Sequence, residues 1–377
     1  MSVPSRLRPG LGFVFSALVF AATLVPATAR AQAVVKVSDT INFKVGILLQ
    51  PQADFIQILN PAGTAIGGWQ ENLLIRRLRF LIGGQITPTL FFFAETENSN
   101  LGKSTQPIAG GAGGKSLGTG FNLLDAVGEW RPMKEFNIQF GEIRVPTSRE
   151  ALKAAGSTFA LDVSAYTFLV SAPTQGNGGR DTGIMARGYY LDDHLEIRAG
   201  GFQGAREVAS KNAYRFCGRV QYNFIDTEVY NMPSYAGSYF GTKKIVAVGA
   251  AYDRQKDYEL VSGDIYVDAP IPMGSFISTI EFQHIDGGVT YTTLPQQNTF
   301  QVEGGVYNKA LKLGGYLRYE QQSFIASDAK NEQRIATGLN YYPWGNTFNI
   351  KAWYQRIIPK TGPTRNQVTL QFQVYYF

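Results

Sequence analysis

The carboxy-terminal stretch QVTLQFQVYYF, Gln367 to Phe377, alternates between two chemistries. Val368, Leu370, Phe372, Val374 and Tyr376 fall on one side; Gln367, Thr369, Gln371, Gln373 and Tyr375 fall on the other. Successive side chains of a strand point to opposite faces. A glutamine-rich face opposite an apolar, aromatic-ended one suits a strand held between a watery lumen and lipid. Working back along the chain, the same alternation defines sixteen segments, at 41–55, 72–86, 89–97, 121–131, 136–146, 181–191, 195–204, 213–225, 244–254, 259–269, 276–285, 299–309, 311–322, 332–342, 348–357 and 366–377. Most have the length that a tilted membrane-spanning strand needs. In the first, Phe43, Val45, Ile47 and Leu49 oppose Asn42, Lys44, Gly46 and Gln50. The third is mixed: Phe91 and Phe93 share a face with Glu95 and Glu97.

The first residues place this pattern in an exported protein. Arg6 and Arg8 precede an apolar run from Leu11 to Val25, and Ala31-Gln32-Ala33 is a small-x-small cleavage site. Residues 1–33 are therefore expected to be a signal peptide, with the mature chain 34–377 beginning at Val34. A membrane anchor is the alternative, but the apolar run is short and ends at Pro26. Only helices and closed barrels satisfy their backbone in lipid. No later run reaches the length of a spanning helix, so membrane insertion requires a barrel. The expected fold class is all-β: an antiparallel transmembrane barrel of about sixteen strands with an inward-folded constriction loop. A terminal Phe on such a strand resembles the carboxy-terminal signature of bacterial outer-membrane barrel proteins.

Loss of the leader removes three arginines and no acids, which takes the net charge from +6 to +3, with 32 basic against 29 acidic residues. That balance does not indicate a nucleic-acid partner. The single Cys217 excludes an internal disulfide framework. The two histidines, His194 and His284, lie in a turn and at a strand end, so no metal or triad pattern forms. The glycine-rich run between Gly110 and Gly120 lacks the spacing of a phosphate-cradling loop and is read as a flexible external connection. Neither an enzyme nor a cofactor is implied.

The connections alternate in length. Thr87-Pro88, residues 132–135, residues 192–194, Ala310 and residues 343–346 are short, while 98–120, 147–180 and 286–298 are long. Short periplasmic turns and longer external loops are expected of such barrels. Residues 226–243 break the rule: they are long and Tyr-rich where a short turn belongs. They hide an extended hairpin, or the strand count is off by a pair. Residues 147–180 are the third external connection. They carry Arg149, Glu150, Lys153, Asp162 and Arg180 beside Phe159, Leu161, Tyr166 and Phe168. A barrel of this size leaves an aqueous channel unless something fills it, and this loop is the candidate constriction, with an ordinary surface loop as the alternative.

FNIQFGEIRVPTSREA (Phe136 to Ala151), followed by GRDTGIMARG (Gly179 to Gly188), resembles the phosphate-selective porin O and P family. Gly141 and Pro146 match its Gly-x-x-x-x-Pro element; Gly179, Arg180, Asp181 and Gly183 match its entry to the next strand. Arg76, Arg77 and Arg79, and LDAVGEWRP (Leu124 to Pro132), are similar to further family elements. The resemblance implies a sixteen-stranded trimeric porin with an anion-preferring pore in the bacterial outer membrane. The lysine cluster of the family's phosphate specialists is not mapped here, which implies a general porin with mild anion preference.

Strand parity turns Arg77, Arg79, Arg187, Arg198, Arg215, Arg219, Arg318 and Arg334 inward, with Lys44, Lys312 and Lys351. It also turns in Glu95, Glu97, Asp125, Glu129, Glu196, Glu281, Glu303 and Glu320, so each cation is as readily a partner in a wall network as a pore charge. Arginine's planar fork suits oxyanions. The candidate pore and constriction residues are Arg149, Lys153, Asp162, Arg180, Arg187, Arg77, Arg79, Arg198 and Arg219. The expected partners are small anions, outer-membrane lipid and, from the resemblance, two further copies in a homotrimer. A channel for sugars or hydrophobic compounds, and a plugged structural or adhesive barrel, are the alternatives.

Overall fold

The computed structural model describes residues 34–38, 40–102, 120–206, 213–229 and 234–377. The leader and most of the glycine-rich run lie outside the described residues.

A short strand β1 (Val34–Lys36) pairs with the start of β2 (Asn42–Leu59). The chain continues through β3 (Ile66–Thr87), β4 (Leu90–Gly102), β5 (Asn122–Met133), β6 (Phe136–Arg144), β7 (Arg180–Tyr190), β8 (Leu195–Phe202) and β9 (Arg215–Asn223). It then forms β10 (Ile245–Gln255), β11 (Tyr258–Ile271), β12 (Gly274–Asp286), β13 (Gln297–Asn308), β14 (Leu313–Phe324), β15 (Glu332–Trp344), β16 (Phe348–Pro359) and β17 (Arg365–Tyr376). From β2 to β17 each strand pairs antiparallel with the next, and β17 returns to β2, with Gln367 opposite Ile56 and Tyr376 opposite Ile47. The sixteen alternating segments correspond one to one with these sixteen strands.

The two faces have the chemistry that the alternation predicts. Leu73, Ile184, Leu317 and Leu339 stand exposed on the outside. A continuous apolar exterior of this kind would be a liability in water and matches lipid. Inside, glutamines close the seam: Gln50 Nε2 donates to Gln373 Oε1 at 2.9 Å, and Gln371 Nε2 donates to Gln52 Oε1 at 2.8 Å. Trp130, Tyr222, Phe224 and Tyr341 are exposed near the barrel end that carries the short turns, where an interfacial girdle belongs. Lys312 is a correction to strand parity. It sits exposed in the β13–β14 turn at positive φ, and its Nζ donates to Pro343 O rather than entering the bore.

Residues 145–179 leave β6 and fold inside the cylinder. Ser148 caps a single helical turn, α1 (Arg149–Leu152), by accepting from Ala151 N. Phe159 then reaches the opposite wall and packs against Tyr316 and Tyr342, with ring centroids 6.1 Å away in each case. Glycines make room for it: a Cβ on Gly305 or Gly314 would meet the Phe159 ring at 2.5 and 2.8 Å. Asn340 and Tyr342 donate to Phe159 O, and Lys351 Nζ donates to the carbonyls of Thr158 and Ala160.

The anomalous connection 226–243 adds no strand pair among its described residues. It folds inward from the other end and meets the loop. Tyr235 N donates to Leu152 O, and Ala154 N donates to Tyr235 O, both at 2.9 Å, as a one-residue parallel bridge. The sixteen-strand count therefore stands, and the long connection exists because it is bore filling.

Gly314→Val is expected to leave the barrel intact and dislodge Phe159, at about 2 kcal/mol for overpacking. Faster tryptic cleavage at Lys153 in the folded protein, without loss of strand content by circular dichroism, is the readout.

Candidate pore-lining site

The cations that reach the open part of the bore come from β3, from the ends of β6 and β7, and from Lys153 of the loop. In β3, Gln50 pairs with Arg77 but Pro51 pairs with Ile75, so Arg76 is the extra residue of a bulge. Proline supplies no N–H to the ladder, which favours a bulge there. The bulge turns Arg76 inward beside Arg77 instead of leaving it toward lipid. Both guanidiniums grip the loop's Asp162: Arg76 Nε at 2.8 Å and Arg77 Nη2 at 2.5 Å. Two residues beyond Arg77, Arg79 bonds Glu95 at 3.0 Å and Glu97 at 2.7 Å.

At the loop's two roots, Arg144 and Arg180 face each other across β6 and β7. Both turn into the bore where the chain leaves the sheet. Arg180 holds Asp125 at 2.7 Å and lies 3.5 Å from Glu95. Arg144 donates to Lys153 O at 3.1 Å, and its ion pair with Asp125 is a distant 4.0 Å. Lys153 Nζ pairs with Glu150 at 2.6 Å.

These residues bound two adjoining chambers. One, of about 450 Å³, is lined by Arg76, Arg77, Arg79, Arg144, Lys153 and Arg180, with Glu97 the one carboxylate in its lining. The other, of about 470 Å³, opens toward the end with the short turns. Arg79, Arg144 and Ala155 line both, so the chambers meet there. The carboxylates that hold the cations, Asp162, Asp125 and Glu150, lie behind the first chamber's surface. Six cations against Glu97, Glu95 and these three leave one net positive charge across the whole cluster.

Of the nine residues singled out from sequence, Arg77, Arg79, Lys153 and Arg180 line this passage, and Asp162 braces it. Arg187 pairs with Glu129 at 2.6 Å within the wall. Arg149, Arg198 and Arg219 belong to a packed cluster on the other side of the loop. Arg149 is 1% exposed, forks onto Glu228 at 2.7 Å, and stacks over Tyr266 with 3.7 Å from guanidinium carbon to ring centroid. Arg198 pairs with Glu196 at 2.9 Å, and Arg219 pairs with Asp264 at 2.6 Å. The Tyr235 ring lies among all three guanidiniums. Arg149 thus ties the loop to the second inward segment and presents no charge to the chambers. Arg76 and Arg144 were not among the nine, because strict alternation turns both outward. Pro51 was the signal for the first; the second follows only from the chain's inward curl before Pro146.

Asp162, in the loop, is fully buried, which alone would raise its carboxyl; Arg76 and Arg77 outweigh this and hold it below the usual range.

A search of family models finds no match, and no characterised protein matches by sequence. Solved structures do match in fold. Salmonella typhi OmpF in complex with daunomycin is 13% identical over 91% of this chain and 100% of that one, with a TM-score of 0.58. The anion-selective porin from Comamonas acidovorans is 10% identical over 89% and 99%, with a TM-score of 0.55. The outer membrane channel DcaP of Acinetobacter baumannii is 11% identical over 91% and 99%, with a TM-score of 0.55. The fold is that of the bacterial outer-membrane porins.

Asp162→Asn is expected to leave Arg76 and Arg77 without their shared carboxylate, to loosen the loop by about 3 kcal/mol and to raise single-channel conductance. The depressed carboxyl contributes above the ordinary Asp value and is lost only as pH falls through its own lower value. The difference in conductance between wild type and Asp162→Asn should therefore be level from about pH 7 to about pH 5.

Proposed function

We propose that this chain is an outer-membrane porin giving passive diffusion of small hydrophilic solutes, with a mild preference for anions, phosphate and related oxyanions among them. The observation that carries this reading is the lining of the 450 Å³ chamber: six basic side chains and one acidic. Charge lining a confined aqueous path concentrates the opposite ion. Arginine forks match oxyanions, and side-by-side weak positions allow passage rather than trapping. The acids behind the surface limit the field to a modest preference. Phosphate selectivity rests on the resemblance to the porin O and P family, and so does association in trimers; a trimer form is described for Vibrio cholerae OmpT, which shares the fold.

A plugged barrel is the competing reading, favoured by the two inward segments that fill one side of the bore. Planar-bilayer recordings separate the two. Conductance with a reversal potential displaced toward chloride in a KCl gradient supports the porin, and silence under all voltages removes it. Lys153→Gln should move the reversal potential toward zero. Arg149→Gln should leave the potential nearly in place while costing about 3 kcal/mol of stability, because it strips a partner from buried Glu228. Equal effects of the two variants on selectivity would refute this assignment of the lining.

A further inference from the structure

We propose that the chamber at the short-turn end is a binding subsite for amphipathic aromatic carboxylates; this deepens the anion-porin reading and rests on it. The chamber is built differently from its neighbour. Much of its lining is apolar and aromatic: Phe91, Phe93, Tyr375 and Phe377, with Leu48 and Leu81. Phe93 and the terminal Phe377 pack edge to face, with centroids 5.7 Å apart. Such a surface offers a small inorganic ion nothing, whereas an aromatic ring loses unfavourable water contact against it.

Cations share the lining with these rings, and the Arg131 guanidinium stacks over Phe91 at 3.9 Å from the ring centroid. Lys44, Arg79, Arg131 and Arg144 line the chamber against Glu95 and Glu129, an excess of two positive charges. Both acids are already engaged: Glu95 by Arg79, and Glu129 by Arg187 at 2.6 Å and Arg131 at 2.5 Å. Two cations are less fully engaged. The Lys44 side chain makes no hydrogen bond or ion pair among the described residues. Arg144 is 5% exposed; its Nη1 donates to Lys153 O, while its Nε makes no hydrogen bond and lies a distant 4.0 Å from Asp125 Oδ1. A guanidinium whose own carboxylate partner is this distant gains a charge-assisted contact from a ligand carboxylate at the junction of the two chambers, which its side chain lines. The volume of about 470 Å³ lies within the range of small-molecule pockets. The mixed face of β4, with phenylalanines and glutamates on one side, follows from this division: the phenylalanines serve the chamber and the glutamates brace the arginines.

The test is equilibrium titration of the detergent-solubilised full barrel with 2-naphthoate, followed by calorimetry, with 2-naphthalenemethanol and inorganic phosphate as comparisons. Saturable naphthoate binding, and weaker binding of both comparison compounds, is the expected result. Arg144→Gln should weaken naphthoate about tenfold, the scale of one charge-assisted hydrogen bond. Lys44→Gln, at the chamber mouth and away from the loop, should also weaken it. Phe91→Ser, which removes the ring under the Arg131 guanidinium, should weaken naphthoate as well. Equal affinity for the neutral alcohol would overturn the anion requirement. Absence of saturable naphthoate binding by a barrel that still conducts with chloride preference would overturn the subsite and leave the porin reading standing. Binding by a barrel that does not conduct would remove the porin reading alone.

Discussion

Closure of the sheet is the constraint from which everything else follows. In lipid an open strand edge leaves N–H and C=O groups with no water to satisfy them. The return of β17 to β2 removes the last edge, and sixteen strands then fix the width of the interior. Once the cylinder closes, each side chain has two environments to choose from, separated by one step of the pleat. That step explains why Gln371 and Gln373 are fully buried while Phe372 and Val374 are exposed. It also explains why arginines are numerous inside: the outer face excludes them at roughly 2–4 kcal/mol each at mid-membrane.

A bore of this width must be filled or left as water, and here it is divided. The loop from β6 crosses to the β13–β15 wall, where Phe159 is seated between glycines and tyrosines. The segment from β9 comes up beside it and joins at Tyr235. Together they pack one side with charges matched in pairs, Arg149 on Glu228 and Arg219 on Asp264. The wall from β3 to β7 keeps the remaining space. There the cations outnumber the acids on the surface, since Asp162, Asp125 and Glu150 have gone behind to hold guanidiniums or to anchor the loop.

The barrel was almost wholly legible in the sequence because alternation is a local signal that lipid enforces strongly. All sixteen segments fall on strands. What escaped is what breaks alternation. Arg76 enters the bore through a bulge, Arg144 through a curl at the end of a strand, and Lys312 leaves it through a turn. Arg149 shows a different limit: a charged residue in a loop that enters the bore faces either solute or another loop, and only the position of Glu228, far away in the chain, decides which. The long Tyr-rich connection was visible as an anomaly, but its cause lies in contacts with residues about eighty positions earlier.

The bulge at Arg76 shows how a local defect becomes a pore feature. Pro51 removes one ladder hydrogen bond, and the extra residue on the neighbouring strand turns a second guanidinium inward. Two arginines now share Asp162, so the pair carries a residual positive charge that one arginine would not. The same contact pins the loop 86 residues away in sequence against the near wall. The element that narrows the passage and the charge that faces it are therefore held by one carboxylate, and passage width and the field within it cannot vary independently at that point.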